Sequence, residues 1–269
     1  MAKSLGNRPS LPPWQALFTV VMFIFMYGPI AVLAVYSVNA SRYGAVWEGF
    51  SLVWYRRMLS DVRLLSALQD SLTIAAVAVL ISAVIGTMMA VGLARYRFVG
   101  KGLYRGVSYL PLIVPDITIA VSTLIFLATM AIPLSLWTVI AAHTVFCLAY
   151  IAVVVSTRLS SINPNLQEAA LDLGATPVQA FIKVLLPELM PAIVSGCLLA
   201  FILSLDDLLI SSFTAGGGAN PLPIEIFSRI RTGVKPDINA LSVVLILSSG
   251  ALAFVAEYVR YRSVQQRSN

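Results

Sequence analysis

A chain of 269 residues with 59% hydrophobic and only 11% charged side chains carries far less charge than the roughly 25% of a soluble globular domain. Several apolar runs reach the length of about 20 residues needed to cross a hydrocarbon core, which excludes a water-soluble domain of useful size. The net charge of +6 raises nucleic acid as a partner, so the placement of the basic residues has to be examined before any partner is inferred.

Six spans are expected in chain order, at residues 14–37, 71–94, 107–130, 134–157, 190–213 and 237–259. The first exceeds the apolar region of a signal peptide and lacks a small-residue cleavage site, so it is read as a span. Residues 38–70 form an outer segment in which Trp47, Phe50, Leu52, Trp54, Tyr55 and Met58 mix with charges. This predicts an interfacial amphipathic helix around 52–60. Gly86, Gly92, Gly196 and Gly250 read as points of close packing between spans. Cys147 and Cys197 both fall inside spans, giving neither a disulfide framework nor a CxxC pattern. They read as small packing residues. His143, the only histidine, sits in the fourth span and reads as a helix-to-helix hydrogen-bonding residue, since no neighbouring ligand makes it a metal site.

Residues 163–187, within a loop over 158–189, form the one island with a polar plan. Asn163 is a suitable N-cap followed by Pro164, and Gly174 suits the left-handed position that closes the first short helix. Thr176, Pro177 and Gln179 then make the start of a second helix with a capping box. Pro187 and Pro191 mark where that helix gives way to the next segment. Leu166, Ala169, Ala170 and Leu173 share one apolar face, and Val178, Phe181, Ile182 and Leu185 make a second stripe. A helical elbow with apolar faces, held between spans, is a docking element for another protein. The outer loop 214–236 opens with Gly216-Gly217-Gly218 and continues into a short helix over 224–232. The glycines read as a flexible loop, because no Lys-Ser/Thr follows them. No P-loop occurs in the sequence, so any ATP hydrolysis belongs to another chain.

With the amino terminus inside, eleven of the eighteen basic residues lie on the cytoplasmic side, concentrated from Arg95 to Arg105 and at the carboxyl end. The positive excess therefore marks topology, and nucleic acid is rejected as a partner.

Asp116, Asp206 and Asp207 are the acidic residues well inside the spans, each costing on the order of 3 kcal/mol at mid-membrane. No Lys or Arg lies deep in any span, so the sequence offers no obvious cationic partner. Offsets that remain are protonation, water, helix-to-helix hydrogen bonds, another subunit, or a cation in transit. On a continuous helix Ser204, Asp207 and Ser211 share a polar face, while Asp206 falls with Leu203 and Ile210. Pro115 breaks the third span beside Asp116. These residues are the candidate substrate pathway, against the alternative that they only tie helices together. An intramembrane aspartyl protease is disfavoured because Asp206 and Asp207 are adjacent and cannot face each other across a shared water. An ion-coupled secondary carrier would often show inverted repeats, and none is seen.

Glu168-Ala169-Ala170, three residues, Gly174, nine residues and then Val184-x-Leu186-Pro187 resembles the EAA loop of ABC importer permeases, where isoleucine is usual at Val184. Likeness continues through Phe50 to Tyr55, Pro111 to Asp116, Ser204 to Asp207 and Gly233 to Ala240, which are similar to the spermidine/putrescine permease subgroup. The resemblance implies an all-α membrane protein, a six-helix type I importer permease with a cytoplasmic coupling helix, formed by one transmembrane domain over 1–269. It implies coupling through Glu168, Ala169, Ala170, Gly174, Leu186 and Pro187. It further implies a homologous permease partner, two ATPase subunits that bind the ATP and Mg, and an extracytoplasmic substrate-binding protein. The chain itself would carry no cofactor, contact membrane lipid, and sit in the bacterial inner membrane with both termini cytoplasmic. Its cargo would be putrescine or spermidine.

Overall fold

The structure, a computed structural model, describes residues 13–41, 46–163, 165–232 and 236–265. Among these residues the chain is helical, with a single isolated antiparallel bridge between Asn39 and Phe50 and no longer strand. Two compact units are distinguished, Met1–Leu59 with Gly233–Leu245, and Ser60–Thr232 with Ile246–Asn269.

In the first unit, α1 (Pro13–Ser37) starts with proline at its first position, where the missing N–H costs no hydrogen bond. It is apolar all round, and its side chains from Trp14 to Val35 are unburied, so no face of it is covered by the described residues. The expected interfacial helix is α2 (Val53–Ser60). Its base is built on Asn39, whose side-chain amide donates to Val46 O at 2.7 Å and whose Oδ1 accepts the Glu48 N–H at 2.9 Å. Trp54 Nε1 donates to Asn39 O at 2.8 Å, and the Arg57 guanidinium lies over the same indole at 4.8 Å. The buried polar groups are thus satisfied, with the aromatic ring anchored between backbone and cation.

The second unit carries the bundle. Asp61 is extended, and its carboxylate accepts the Leu64 N–H at 3.1 Å, which caps α3 (Val62–Arg95). After α4 (Lys101–Tyr109), a 3-10 turn Leu110–Leu112 and α5 (Asp116–Thr129), the chain enters α6 (Leu136–Ser161). Helix α6 is the centre of the core, with Val139, Cys147, Ile151, Ala152 and Val155 fully buried. It packs against α3 and, further along, against α9 (Leu186–Asp206), which follows α7 (Asn165–Asp172) and α8 (Pro177–Ala180). Two glycines permit that packing. A Cβ on Gly86 would sit 3.0 Å from Leu148 O, and one on Gly196 would sit 3.4 Å from Ile151 Cα. Neighbouring backbones therefore close on the same stretch of α6 from α3 and from α9. Gly92 and Gly250 have open space at the corresponding point, so the expectation of close packing fails for that pair. Cys147 packs as expected, with its thiol 3.7 Å from Ala200 O.

Two of the expected spans are not continuous helices. The third is a bent pair, Lys101–Leu112 and Asp116–Thr129, turning by 107°. Pro115 has no N–H to continue a helix and biases Val114 away from the helical region, so the chain restarts with Thr118 N–H bonding to Pro115 O at 2.9 Å. The fifth ends at Asp206, because Asp207 is extended (φ −70°, ψ 114°), and resumes as α10 (Leu209–Thr214). Nor does the elbow helix yield at the prolines. It continues through a π-turn, Phe181–Leu185, into α9, making one helix from Pro177 to Asp206. The Leu186 N–H reaches back to Phe181 O, so the ladder has already widened where Pro187 removes a donor. Among the described residues four helices are long and apolar enough to cross a membrane, or five if the bent pair is one span, and Pro236–Ala251 of α12 (Pro236–Gln265) is a shorter apolar stretch. After α10 the loop carries a further helix, α11 (Leu222–Thr232).

The three glycines before α11 also differ from a flexible loop. They form a tight 3-10 turn, with Gly216 at φ +58° and placed so that a Cβ would collide with Leu134. Helix α11 is then fastened to α3. Leu222 N–H donates to Ser71 Oγ at 2.8 Å, and Arg229 pairs with Asp61 at 2.8 Å and with Glu225 at 2.8 Å. Burial pushes the Asp61 and Glu225 carboxyls up, but hydrogen bonds from Leu64 N–H and Arg229 to the first, and from Asn220 and Arg229 to the second, hold both below the ordinary value. A depressed folded-state pKa stabilises above the unfolded value and loses that contribution as pH falls through the folded one. Arg229→Gln should lower stability by about 1 kcal/mol at neutral pH, and the deficit should shrink as pH falls below the ordinary carboxylate range and through the lowered folded-state pKa of Asp61 and Glu225. Thermal unfolding of wild type and variant across that range measures it, and a gap independent of pH would refute the assignment.

Candidate functional site

Asp207 lies where the fifth span breaks, and its carboxylate explains the break locally. Oδ2 accepts the Ser211 N–H at 2.8 Å and Oδ1 accepts the Ile210 N–H at 3.3 Å, so it caps the first turn of α10. The same Oδ2 lies 3.3 Å from His143 Nε2, with the Asp207 side chain only 11% exposed. His143, buried on α6, also places Nδ1 2.7 Å from Ser204 Oγ and Nε2 3.1 Å from Ser211 Oγ. Ser204, Asp207 and Ser211 therefore meet as expected, although through a broken helix gathered around one imidazole. The sequence offered no obvious partner for these aspartates, and the fold supplies one for Asp207 in the hydrogen-bonding imidazole of His143. Its signal was present in the sequence, since His143 is the only titratable base within the apolar run 134–157.

Asp206 and Asp116 are placed differently. Both are exposed, and neither receives a hydrogen bond or ion pair from another side chain among the described residues. Together with Asp207 they line one cavity of about 280 Å³, whose walls include Pro111, Phe146, Tyr150 and Leu203. The 107° bend brings Asp116, at the first turn of α5, to the end of α9 that carries Asp206. Two unpaired carboxylates facing aromatic and apolar walls form a site that can replace the hydration of an amine cation while excluding anions.

The elbow follows its caps closely. Asn163 Oδ1 accepts the Asn165 N–H at 3.0 Å at the start of α7. Gly174 has φ +88°, with its N–H bonding to Leu171 O at 2.9 Å and Ala175 N–H to Ala170 O at 3.0 Å. That pair of bonds is a Schellman closure, which requires the left-handed residue. Thr176 and Gln179 make the reciprocal capping box, at 3.3 Å and 3.0 Å. Of the second stripe, Leu185 is buried and Phe181 packs on the core, whereas Val178 (65%) and Ile182 stand exposed, as do Leu173 (89%) and Leu166 of the first. Leu186 and Pro187 are the first residues of α9, and Glu168 lies in the first turn of α7, where the helix dipole favours an anion. Arg158 pairs with Glu188 at 3.1 Å and fixes the end of α6 to the start of α9.

A bundle of apolar helices with a carboxylate-lined cavity and an exposed helical elbow defines an integral membrane transport subunit. Residues 82–268 match the binding-protein-dependent transport system inner membrane component family, and the chain belongs to that family. The putrescine transport system permease protein PotI of Escherichia coli strain K12 is 42% identical over 98% of this chain and 96% of its own length. The spermidine/putrescine transport system permease protein PotC of Haemophilus influenzae is 40% identical over 90% and 94%. Among solved structures, a chain of a bacterial ABC transporter involved in import of the acidic polysaccharide alginate superposes with TM-score 0.71 at 15% identity, covering 93% of this chain and 99% of that one. A chain of the inward-facing MetNI methionine ABC transporter gives 0.59 at 24% identity, covering 74% and 95%. At those identities the likeness is one of fold. The chain is thus a multi-pass permease component of a transport system, rather than an enzyme.

Proposed function

We propose that this chain is one permease subunit of an ATP-driven importer that carries putrescine or spermidine into the cytoplasm. The observation that carries the reading is the convergence of Asp116 and Asp206, unpaired and exposed, on one cavity walled by Phe146 and Tyr150. An acidic, partly aromatic site lowers the cost of stripping water from a di- or tricationic amine. The names of the relatives in Escherichia coli and Haemophilus influenzae support the same cargo.

Counting the bent pair as the third span and α12 as the sixth, we read six spans with both termini and the elbow in the cytoplasm, a reading supported by the basic residues from Arg95 to Arg105. A second permease chain covers the unburied apolar faces, two ATPases hold ATP and Mg and receive the elbow, and an extracytoplasmic binding protein delivers the amine. Force then has a short route. The helix from Pro177 to Asp206 has the capping box at one end and a cavity carboxylate at the other, 30 residues or about 45 Å apart. When the ATPases close, a displacement of the elbow is transmitted along that helix to the cavity.

Reconstituted complex supplied with ATP and binding protein should take up putrescine or spermidine and ignore a neutral polyol or a dicarboxylate of similar length. Selective uptake of the neutral or anionic solute would overturn the cargo. Uptake unaffected by omitting ATP would overturn the mechanism.

A further inference from the structure

A second cavity, of about 570 Å³, lies at the elbow end of the bundle between the ends of α3 and α6 and the C-terminal half of α4. Arg95 and Arg105 both line it, and none of its lining residues is acidic. Arg95 Nε is buried without a hydrogen-bond partner, a costly state for part of a cation. Arg105 has no ion-pair partner among the described residues, and the paired cations of this end, Arg158 with Glu188, lie elsewhere. Tyr109 OH and Ser156 Oγ stand 3.2 Å apart on the wall, so one hydroxyl donates to the other and the second proton remains free to donate outward. Thr157 and Ser160 also line it, their hydroxyls donating to Val153 O and Thr157 O, and the rest of the surface is apolar, contributed by Leu93, Val153 and Leu159 among others.

Two guanidiniums sharing a cavity repel each other unless an anion joins them, and no carboxylate lines the wall to do so. We propose that this cavity binds a net-negative phosphate group, the chemistry common to an anionic phospholipid headgroup and to free phosphate, and not the zwitterionic headgroup of phosphatidylcholine. Arg95 and Arg105 provide forked donors matched to phosphate oxygens, and a hydroxyl from the Tyr109–Ser156 pair completes the set. The ligand ties the ends of α3, α4 and α6 together one residue before Asn163 opens the elbow.

The test uses the assembled transporter in nanodiscs of phosphatidylcholine, of phosphatidylcholine with phosphatidylglycerol, and of phosphatidylcholine with added inorganic phosphate. Backbone amide exchange over residues 93–109 is read by mass spectrometry. Phosphatidylglycerol should slow it about fivefold per engaged guanidinium. Slowing by inorganic phosphate in the neutral discs would assign the site to a free anion and support the shared chemistry. Arg95→Gln with Arg105→Gln should abolish the response. Arg105→Gln alone, at an exposed position that folding tolerates, should weaken it, and Arg97→Gln, outside the cavity, should leave it intact. Exchange indifferent to both lipid and phosphate, or a response that survives in the double variant, overturns the proposal.

Discussion

Gly174→Val should separate ATP hydrolysis from uptake, with transport by the reconstituted complex falling at least about tenfold while the chain still reaches the membrane. Gly174 sits at φ +88° and closes α7 through two backbone bonds, so a β-branched residue there opposes the conformation itself. Nothing lies within 4 Å of a Cβ at this position, which removes steric collision as a rival explanation. The effect is therefore confined to the angle between α7 and α8 and to the presentation of Leu173, Val178 and Ile182. Asparagine tolerates the left-handed region, so Gly174→Asn should recover most of the transport. ATPase activity stimulated by loaded binding protein, measured beside uptake, distinguishes lost coupling from lost assembly. Full coupling in the valine variant would remove the elbow from the force path.

Why this elbow was legible in the sequence, and the cavity only partly so, follows from the range of the interactions. Asn163, Gly174, Thr176 and Gln179 act on backbone groups two to five residues away, so the chain itself displays both partners of each cap. The interruption at Asp207 has one local cause and one distant one. An aspartate can cap the turn that follows it, but an apolar run with a helical period gives no sign that it does so. His143, about sixty residues earlier, completes the carboxylate's coordination only after α6 and α9 have packed. Pro115 marked a break in the third span, while the 107° turn depends on what α5 packs against, namely α10. The π-turn was similarly hidden. Proline at 187 reads as a stop, yet one widened turn lets the helix continue and turns a presumed boundary into a 30-residue connection.

That connection changes which aspartates should matter for the cargo. On a continuous helix Asp207 held the polar stripe, whereas in the fold its carboxylate is occupied by His143 and two backbone N–H groups. Asp116 and Asp206 have acceptor capacity left for an ammonium group. Asp116→Asn and Asp206→Asn should each raise the apparent KM for amine about 10- to 100-fold, the equivalent of one charge-assisted hydrogen bond of about 1.5 to 3 kcal/mol, and the double variant should be worse than either. Asp207→Asn should act on the fold instead. It weakens a buried pair and a helix cap, so the expected loss is about 2 kcal/mol of stability, shared by His143→Ala, with little change in KM for the complex that survives. Uptake kinetics and thermal unfolding measured on the same preparations separate the two behaviours. Should Asp207→Asn raise KM at unchanged stability, Asp207 returns to the pathway. If Asp116→Asn with Asp206→Asn transports normally, the exposed carboxylates have no part in recognising the cation, and selection passes to the binding protein.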